Sequence, residues 1–151
     1  MEPRLTNPAG LLPDVGQAVN ILYKSAHTAG VPGSVLELVH LRASQINGCG
    51  PCVDHGARAM RKAGETDDRL FAVAVWRETP YFTEPERAAL ALAEYATRLA
   101  DRPDAVPDAI WDEAAKHFSE KELAAIVLWI ATTNFFNRLN VTTRQQAPAN
   151  Y

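Results

Sequence analysis

The stretch Pro32-Gly33-Ser34-Val35-Leu36-Glu37-Leu38-Val39-His40-Leu41-Arg42-Ala43-Ser44-Gln45-Ile46-Asn47-Gly48-Cys49-Gly50-Pro51-Cys52-Val53-Asp54-His55 decides the fold. Pro32-Gly33-Ser34 opens a helix that runs to about Ile46. Asn47-Gly48 stops it, because these residue types best take the left-handed conformation at a helix end. A new helix starts almost at once, with Pro51 in its first turn, where a missing N–H costs nothing. Two helices joined by so short a turn form a hairpin about Gly48. Residues counted back from the turn then lie beside residues counted forward, placing Cys52 near Ser44, His55 near Leu41 and His40 opposite Gly56.

Outward from this hairpin the punctuation stays helical. A helix follows Pro13, with Val15, Val19, Leu22 and Ala26 at spacings of three and four, and ends near Gly30. Gly64 stops the helix that holds Pro51. Thr66-Asp67-Asp68 is a capped, acidic start for a helix through Phe71 to Trp76, ended by Glu78-Thr79-Pro80. Thr83 with Glu86 and Ser119 with Glu122 are capping boxes, opening helices to about Leu99 and Leu139. Pro107 starts a shorter helix to His117. Ala88 to Ala93 and Leu123 to Ala131 are apolar on nearly every face and belong in a helical core or a subunit interface. The tail from Thr142 is polar and expected to fray. No strict apolar/polar alternation supports a strand. The expected fold is all-α, six or seven helices in a single domain over 1–151, with its core at about 15–145 and a CxxC at the start of a helix.

At 151 residues the chain can bury roughly two-thirds of its unfolded surface, so it needs no covalent staple. Its only cysteines are Cys49 and Cys52. A bridge between them closes too short a loop to constrain the unfolded chain much, which leaves reactivity as their reason. Residues three apart on a helix have Cβ atoms about 5–6 Å apart, and disulfides span Cα separations of about 4.4–6.8 Å. The pair can therefore switch between dithiol and disulfide. At a helix start, unpaired N–H groups and the positive end of the dipole favour a thiolate. Glu37 and an imidazole, His55 or His40, stand in reach of the hairpin to move a proton off sulfur and deliver it to a leaving oxygen.

Other readings of the same residues are weaker. A structural zinc needs about four ligands, and His55 with a distant His117 or a glutamate would have to complete the set. Cys-Gly-Pro-Cys also occurs in thioredoxins, but the βαβ context is missing and Gly48 stands where those proteins carry Trp. A net charge of −3, a pI near 5.8 and no basic run interleaved with aromatics give no nucleic-acid footprint. The longest apolar run has nine residues, and Met1-Glu2-Pro3-Arg4-Leu5 lacks the pattern of a signal peptide. These features predict a cytoplasmic protein with no membrane partner, no metal and no cofactor. Phe71, Trp76, Tyr81, Phe82, Trp129 and Phe135 could line an apolar pocket, although aromatics at helical spacing more often form core.

Glu37 to Cys49, continuing through Cys52-Val53-Asp54-His55, resembles the core of the carboxymuconolactone decarboxylase superfamily, in its alkylhydroperoxidase D-like (AhpD-like) branch. Trp76 to Thr79, Phe82 to Leu90 and Asn134 to Leu139 extend the likeness over roughly 15–145. A glutamate, eleven residues and CxxC is the family pattern, met by Glu37, Cys49 and Cys52. The resemblance implies an all-helical fold assembling into homo-oligomers, trimers or hexamers, and reduction of hydroperoxides by a dithiol. It implies that Cys52 attacks peroxide and that Cys49 resolves the sulfenic acid to a disulfide. A more exposed Cys49 would then exchange with the reductant, a lipoylated or thioredoxin-like protein. The family histidine normally lies four residues after the second cysteine, where this chain has Gly56. Either an irregular helix at Gly56 brings His55 to the site, or His40 supplies the imidazole. The other functions in view are a lactone decarboxylase without redox thiols and an oligomeric redox sensor without turnover.

Overall fold

A computed structural model describes residues 2–149. Met1, Asn150 and Tyr151, included in the expectation of a 1–151 domain, lie outside the described residues. Among the described residues the fold is all-α, with no strand. There are eight α-helices: α1 Pro8–Leu11, α2 Val15–His27, α3 Gly33–Ile46, α4 Gly50–Lys62, α5 Asp67–Ala72, α6 Glu84–Thr97, α7 Asp108–Ala115 and α8 Glu120–Thr143. Short 3-10 helices cover Val73–Glu78 and Leu99–Asp101. None of the helices is long and apolar enough to cross a membrane.

Helix α3 lies at the centre, packed against α4, α6 and α8. It buries more than one face. Leu36 and Val39 join Ala89, Leu92, Ile126 and Ile130 in one cluster, while Leu38 and Leu41 join Met60, Leu70, Val73 and Leu90 in another. Each fully buried leucine contributes about 1.5–3 kcal/mol, and truncating Leu38 to alanine, with its 0 % exposure, would cost about 2–5 kcal/mol. This two-sided burial fixes the roll of α3, and with it the directions of Glu37 and His40.

The helix ends follow local chemistry. Gly48 takes φ of 66°. Its N–H donates to the Gln45 carbonyl, and the Cys49 N–H donates to the Ser44 carbonyl at 3.0 Å, the paired bonds of a Schellman stop. Both capping boxes form, at Thr83/Glu86 and Ser119/Glu122, and Thr66 caps α5. Ala88, Ala89, Leu90, Leu92 and Ala93 are buried, as are Leu123, Ala125, Ile126, Trp129 and Ile130. Val127 and Phe135 instead face outward along a broad groove beside Leu99.

Four expectations need correction. Pro8–Leu11 forms an additional first helix, started by Asn7, whose side chain accepts from the Ala9 N–H. The helix expected from Thr66 to Trp76 breaks after Ala72 into a 3-10 segment, with Val75 at φ −125° and ψ 31°. This break turns Trp76 and Arg77 onto Glu94 of α6. The stretch after Thr142 does not fray at its start. Arg144 ends α8 in the left-handed conformation, the Thr143 carbonyl accepts from the Arg4 N–H at 2.9 Å, and Gln145 donates to the Leu5 carbonyl at 2.9 Å. Phe71 and Tyr81, considered for a pocket, are exposed.

Candidate active site

Cys49 is the N-cap of α4 and Cys52 stands inside its first turn. The two sulfurs are bonded, with Cα atoms 5.3 Å apart. Cys49 is 0 % exposed and Cys52 5 %, which reverses the expectation that Cys49 is the more accessible. The reason is tertiary: α8 lies over the turn, and Asn47 donates to Asn134 Oδ1 at 2.9 Å and to Asn137 Oδ1 at 2.8 Å. Cys52, not Cys49, borders a cavity of about 290 Å³.

The cavity floor is aromatic. Trp129 from α8 packs edge-on to His27 at 4.7 Å between centroids, with its indole N–H donating to the Leu36 carbonyl. Tyr23 and Phe136 complete the apolar wall. Of the aromatics considered from sequence, only Trp129 borders this space; Trp76 and Phe82 are core.

His40 is locked in place. Its Nε2 lies 3.3 Å from the Cys52 carbonyl, which can only accept, so Nε2 carries the proton. Nδ1, 3.2 Å from Thr133 Oγ1, then accepts from that hydroxyl. Burial lowers the His40 pKa to about 4, against the smaller raising effect of its bond to the Cys52 carbonyl. At neutral pH the ring is uncharged and both nitrogens are used. Helix α4 runs unbroken through Gly56, so the irregularity considered there does not form, and the His40 ring occupies the space beside Gly56.

Glu37 and His55 border the same cavity as Cys52. His55 is exposed at the mouth, its ring 6.5 Å from that of His40. Burial raises the Glu37 pKa, opposed by the nearby His27 and His55. The imidazole nearest Glu37 is His27, an unexpected partner, at 3.8 Å from Nε2 to Oε1. His27 Nδ1 lies 2.9 Å from the Tyr23 carbonyl, so Nδ1 holds a proton. Among the described residues its buried Nε2 has no hydrogen-bond partner, and Glu37 Oε1 lies 3.8 Å away.

Asn140 was also missed. Its amide donates to Cys52 Sγ at 3.3 Å and to Cys49 Sγ at 3.8 Å. The signal available was Asn134, Asn137 and Asn140 at three-residue intervals, poor helix formers repeated along one face of a long helix. Asn137 donates to Ser44 Oγ at 3.1 Å. Among the described residues, no group of three His, Cys, Asp or Glu side chains is arranged to hold a metal ion. The arrangement offers a dithiol pair, a half-buried carboxyl with an imidazole beside it, and an apolar space bordered by Cys52.

The carboxymuconolactone decarboxylase family model matches residues 13–95. The chain belongs to this family. An Agrobacterium tumefaciens protein of unknown function, named as a candidate antioxidant defence protein AhpD, superposes with a TM-score of 0.90 at 34% identity, covering 99% of this chain and 100% of that one. That likeness places the chain in the AhpD-like branch of the carboxymuconolactone decarboxylase family. The Bacillus subtilis protein YdfG, itself uncharacterized, is 33% identical over 111 residues, 74% of each chain. The debrominase Bmp8 shares the fold with a TM-score of 0.81 at 26% identity over 93% of this chain and 74% of its own. A cysteine-to-alanine variant of Bmp8 has been solved with 2,3,4-tribromopyrrole bound.

Proposed function

We propose that this protein is a dithiol-dependent hydroperoxide reductase. One observation carries the reading: Cys52, half of a CxxC pair, borders an aromatic cavity that Glu37 and His55 also line. In the reduced protein the Cys52 thiolate attacks the terminal peroxide oxygen. An S–O bond forms, the O–O bond breaks, and the departing alkoxide takes a proton from Glu37, whose hold on its proton burial strengthens. Cys49 then attacks the Cys52 sulfenic sulfur, and the S–S bond forms as water leaves. Both electrons come from the thiols, so an external dithiol must return them. A lipoylated or thioredoxin-like carrier is the reductant class proposed, and its thiolate reaches Cys52 through the cavity, since Cys49 is enclosed.

His55, exposed at the mouth, exchanges protons with solvent, whereas His40 holds the Cys52 backbone in place. The walls formed by Trp129, Phe136 and Tyr23 favour organic hydroperoxides over hydrogen peroxide by burying apolar surface. The protein acts as a homo-oligomer, a trimer or hexamer.

The similarity to Bmp8 supports a second reading with the same electron count. A halogenated aromatic ring in the cavity loses bromide and gains hydrogen while the two thiols become the disulfide. Anaerobic titration of the reduced protein separates the two. Loss of both thiols per equivalent of cumene hydroperoxide, with bromopyrroles inert, supports the peroxidase; bromide release with peroxide inert supports dehalogenation. Thiols that survive both and exchange only with disulfides leave a reductase or sensor. Turnover of a carboxylated lactone by a double Cys→Ser variant would instead mark a decarboxylase.

A further inference from the structure

Asn140 presents an N–H group to the sulfurs, yet nothing in α8 prevents its amide from turning over to present its oxygen. The choice is made 133 positions away in sequence. Asn7 Oδ1 accepts from the Ala9 backbone N–H at 2.9 Å. That group can only donate, so the Asn7 amide cannot flip, and its Nδ2 must face Asn140. Asn140 Oδ1 accepts there at 3.0 Å, which turns Asn140 Nδ2 towards Cys52 Sγ, 3.3 Å away. The segment bearing Asn7 is itself tied to the end of α8. The Arg4 N–H donates to the Thr143 carbonyl and its guanidinium to the Thr142 carbonyl, while Gln145 donates to the Leu5 carbonyl.

We infer that the N-terminal segment is a strap belonging to the redox centre, in which Asn7 is a positioning residue that holds the Asn140 amide as a hydrogen-bond donor to Cys52 sulfur. A thiolate is a better acceptor than a thiol, and hydrogen bonds to charged groups are the stronger ones. The strap therefore shifts Cys52 towards its reactive form. The consequence for peroxide turnover rests on the proposed role of Cys52 as nucleophile; the effect on thiol acidity does not.

The test uses the Cys49→Ser protein, in which Cys52 is the one thiol, and follows thiolate ultraviolet absorbance against pH. Asn7→Asp keeps the cap on the Ala9 N–H and nearly the same volume, but it offers Asn140 only an acceptor. The Asn140 amide then turns over and sets its oxygen against the sulfur. The expected result is an at least about tenfold smaller thiolate fraction below the thiol's midpoint, the weight of one charge-assisted hydrogen bond together with the repulsion of the added carboxylate. Asn7→Ala gives a smaller shift in the same direction. In the Asn140→Leu background only the direct repulsion between the charge brought by Asn7→Asp and the thiolate should remain, so the shift should be clearly smaller than with Asn140 present. Equal shifts with and without Asn140, or no shift in Asn7→Asp, would overturn the relay. A shift in acidity without any peroxide consumption would leave the strap standing and remove the peroxidase reading.

Discussion

Gly56 of α4 and His40 of α3 meet so closely that a Cβ added at Gly56 would lie 3.0 Å from His40 Cδ2. The ring cannot easily move away, because Thr133 and the Cys52 carbonyl hold its nitrogens and Trp129 stacks beside it at 5.9 Å. Gly56→Ala should therefore lower stability by about 1 kcal/mol, overpacking of about 1–3 kcal/mol outweighing a helix-propensity gain of about 1 kcal/mol. In a His40→Ala background the same change should become stabilising. Chemical denaturation of the four proteins reads this reversal of sign.

His40 also makes stability depend on pH. Its folded pKa, about 4, lies below the ordinary value of 6.5, so between these values the unfolded chain binds the extra proton. Stability is full above about pH 6.5 and falls towards pH 4, by up to roughly 3 kcal/mol. Glu37, whose pKa is raised, contributes with the opposite sign as pH rises from 4.5. Urea midpoints of wild type and His40→Gln at pH 7 and pH 4.5 isolate the histidine: the variant should lose less on acidification.

Glu94 should behave as a buried anchor. It accepts from Arg42 Nε at 2.7 Å, from the Trp76 indole at 3.0 Å and from Arg77, joining α3 and the 3-10 segment to α6. Burial alone would raise its pKa, but the three donors prevail and lower it. Removing it strands Arg42 in a largely buried position. Glu94→Ala should cost about 3–5 kcal/mol, visible as a drop in thermal midpoint, with thiol reactivity per folded molecule retained.

In the proposed mechanism, Glu37, with His27 beside it, governs the alkaline side of peroxide reduction. Glu37 is a donor below its raised pKa and is spent above it, so activity should fall as pH rises through that value. Glu37→Gln should remove this limb and slow turnover by about 100-fold, within the usual range for a general acid. His27→Phe removes a cation-capable neighbour that holds the Glu37 pKa down, so the limb should move to higher pH. Steady-state rates across pH for the three proteins decide this.

The hairpin of α3 and α4 was legible because its signals are local. Gly48 supplies a positive φ, Pro51 suits a first turn, and the capping boxes each lie within four residues. The family spacing of Glu37 to the cysteines was legible for the same reason. What stayed hidden depends on distant chain. Cys49 at a helix start looks open until α8 lies across the turn, and neither Asn140 nor His27 announces the side chain it meets. The break at Ala72 was missed because Phe71 to Trp76 keeps helical composition while the contact of Trp76 and Arg77 with Glu94 demands a different path.

The most direct test is to treat reduced, anaerobic Cys49→Ser protein with one equivalent of cumene hydroperoxide and locate the added oxygen by peptide mass spectrometry. A sulfenic acid on Cys52, captured by dimedone, with no such product at Cys49 in Cys52→Ser, is the result predicted. An unmodified Cys52 thiol after excess peroxide, or oxidation confined to Cys49 in the Cys52→Ser protein, would contradict Cys52 as the attacking sulfur.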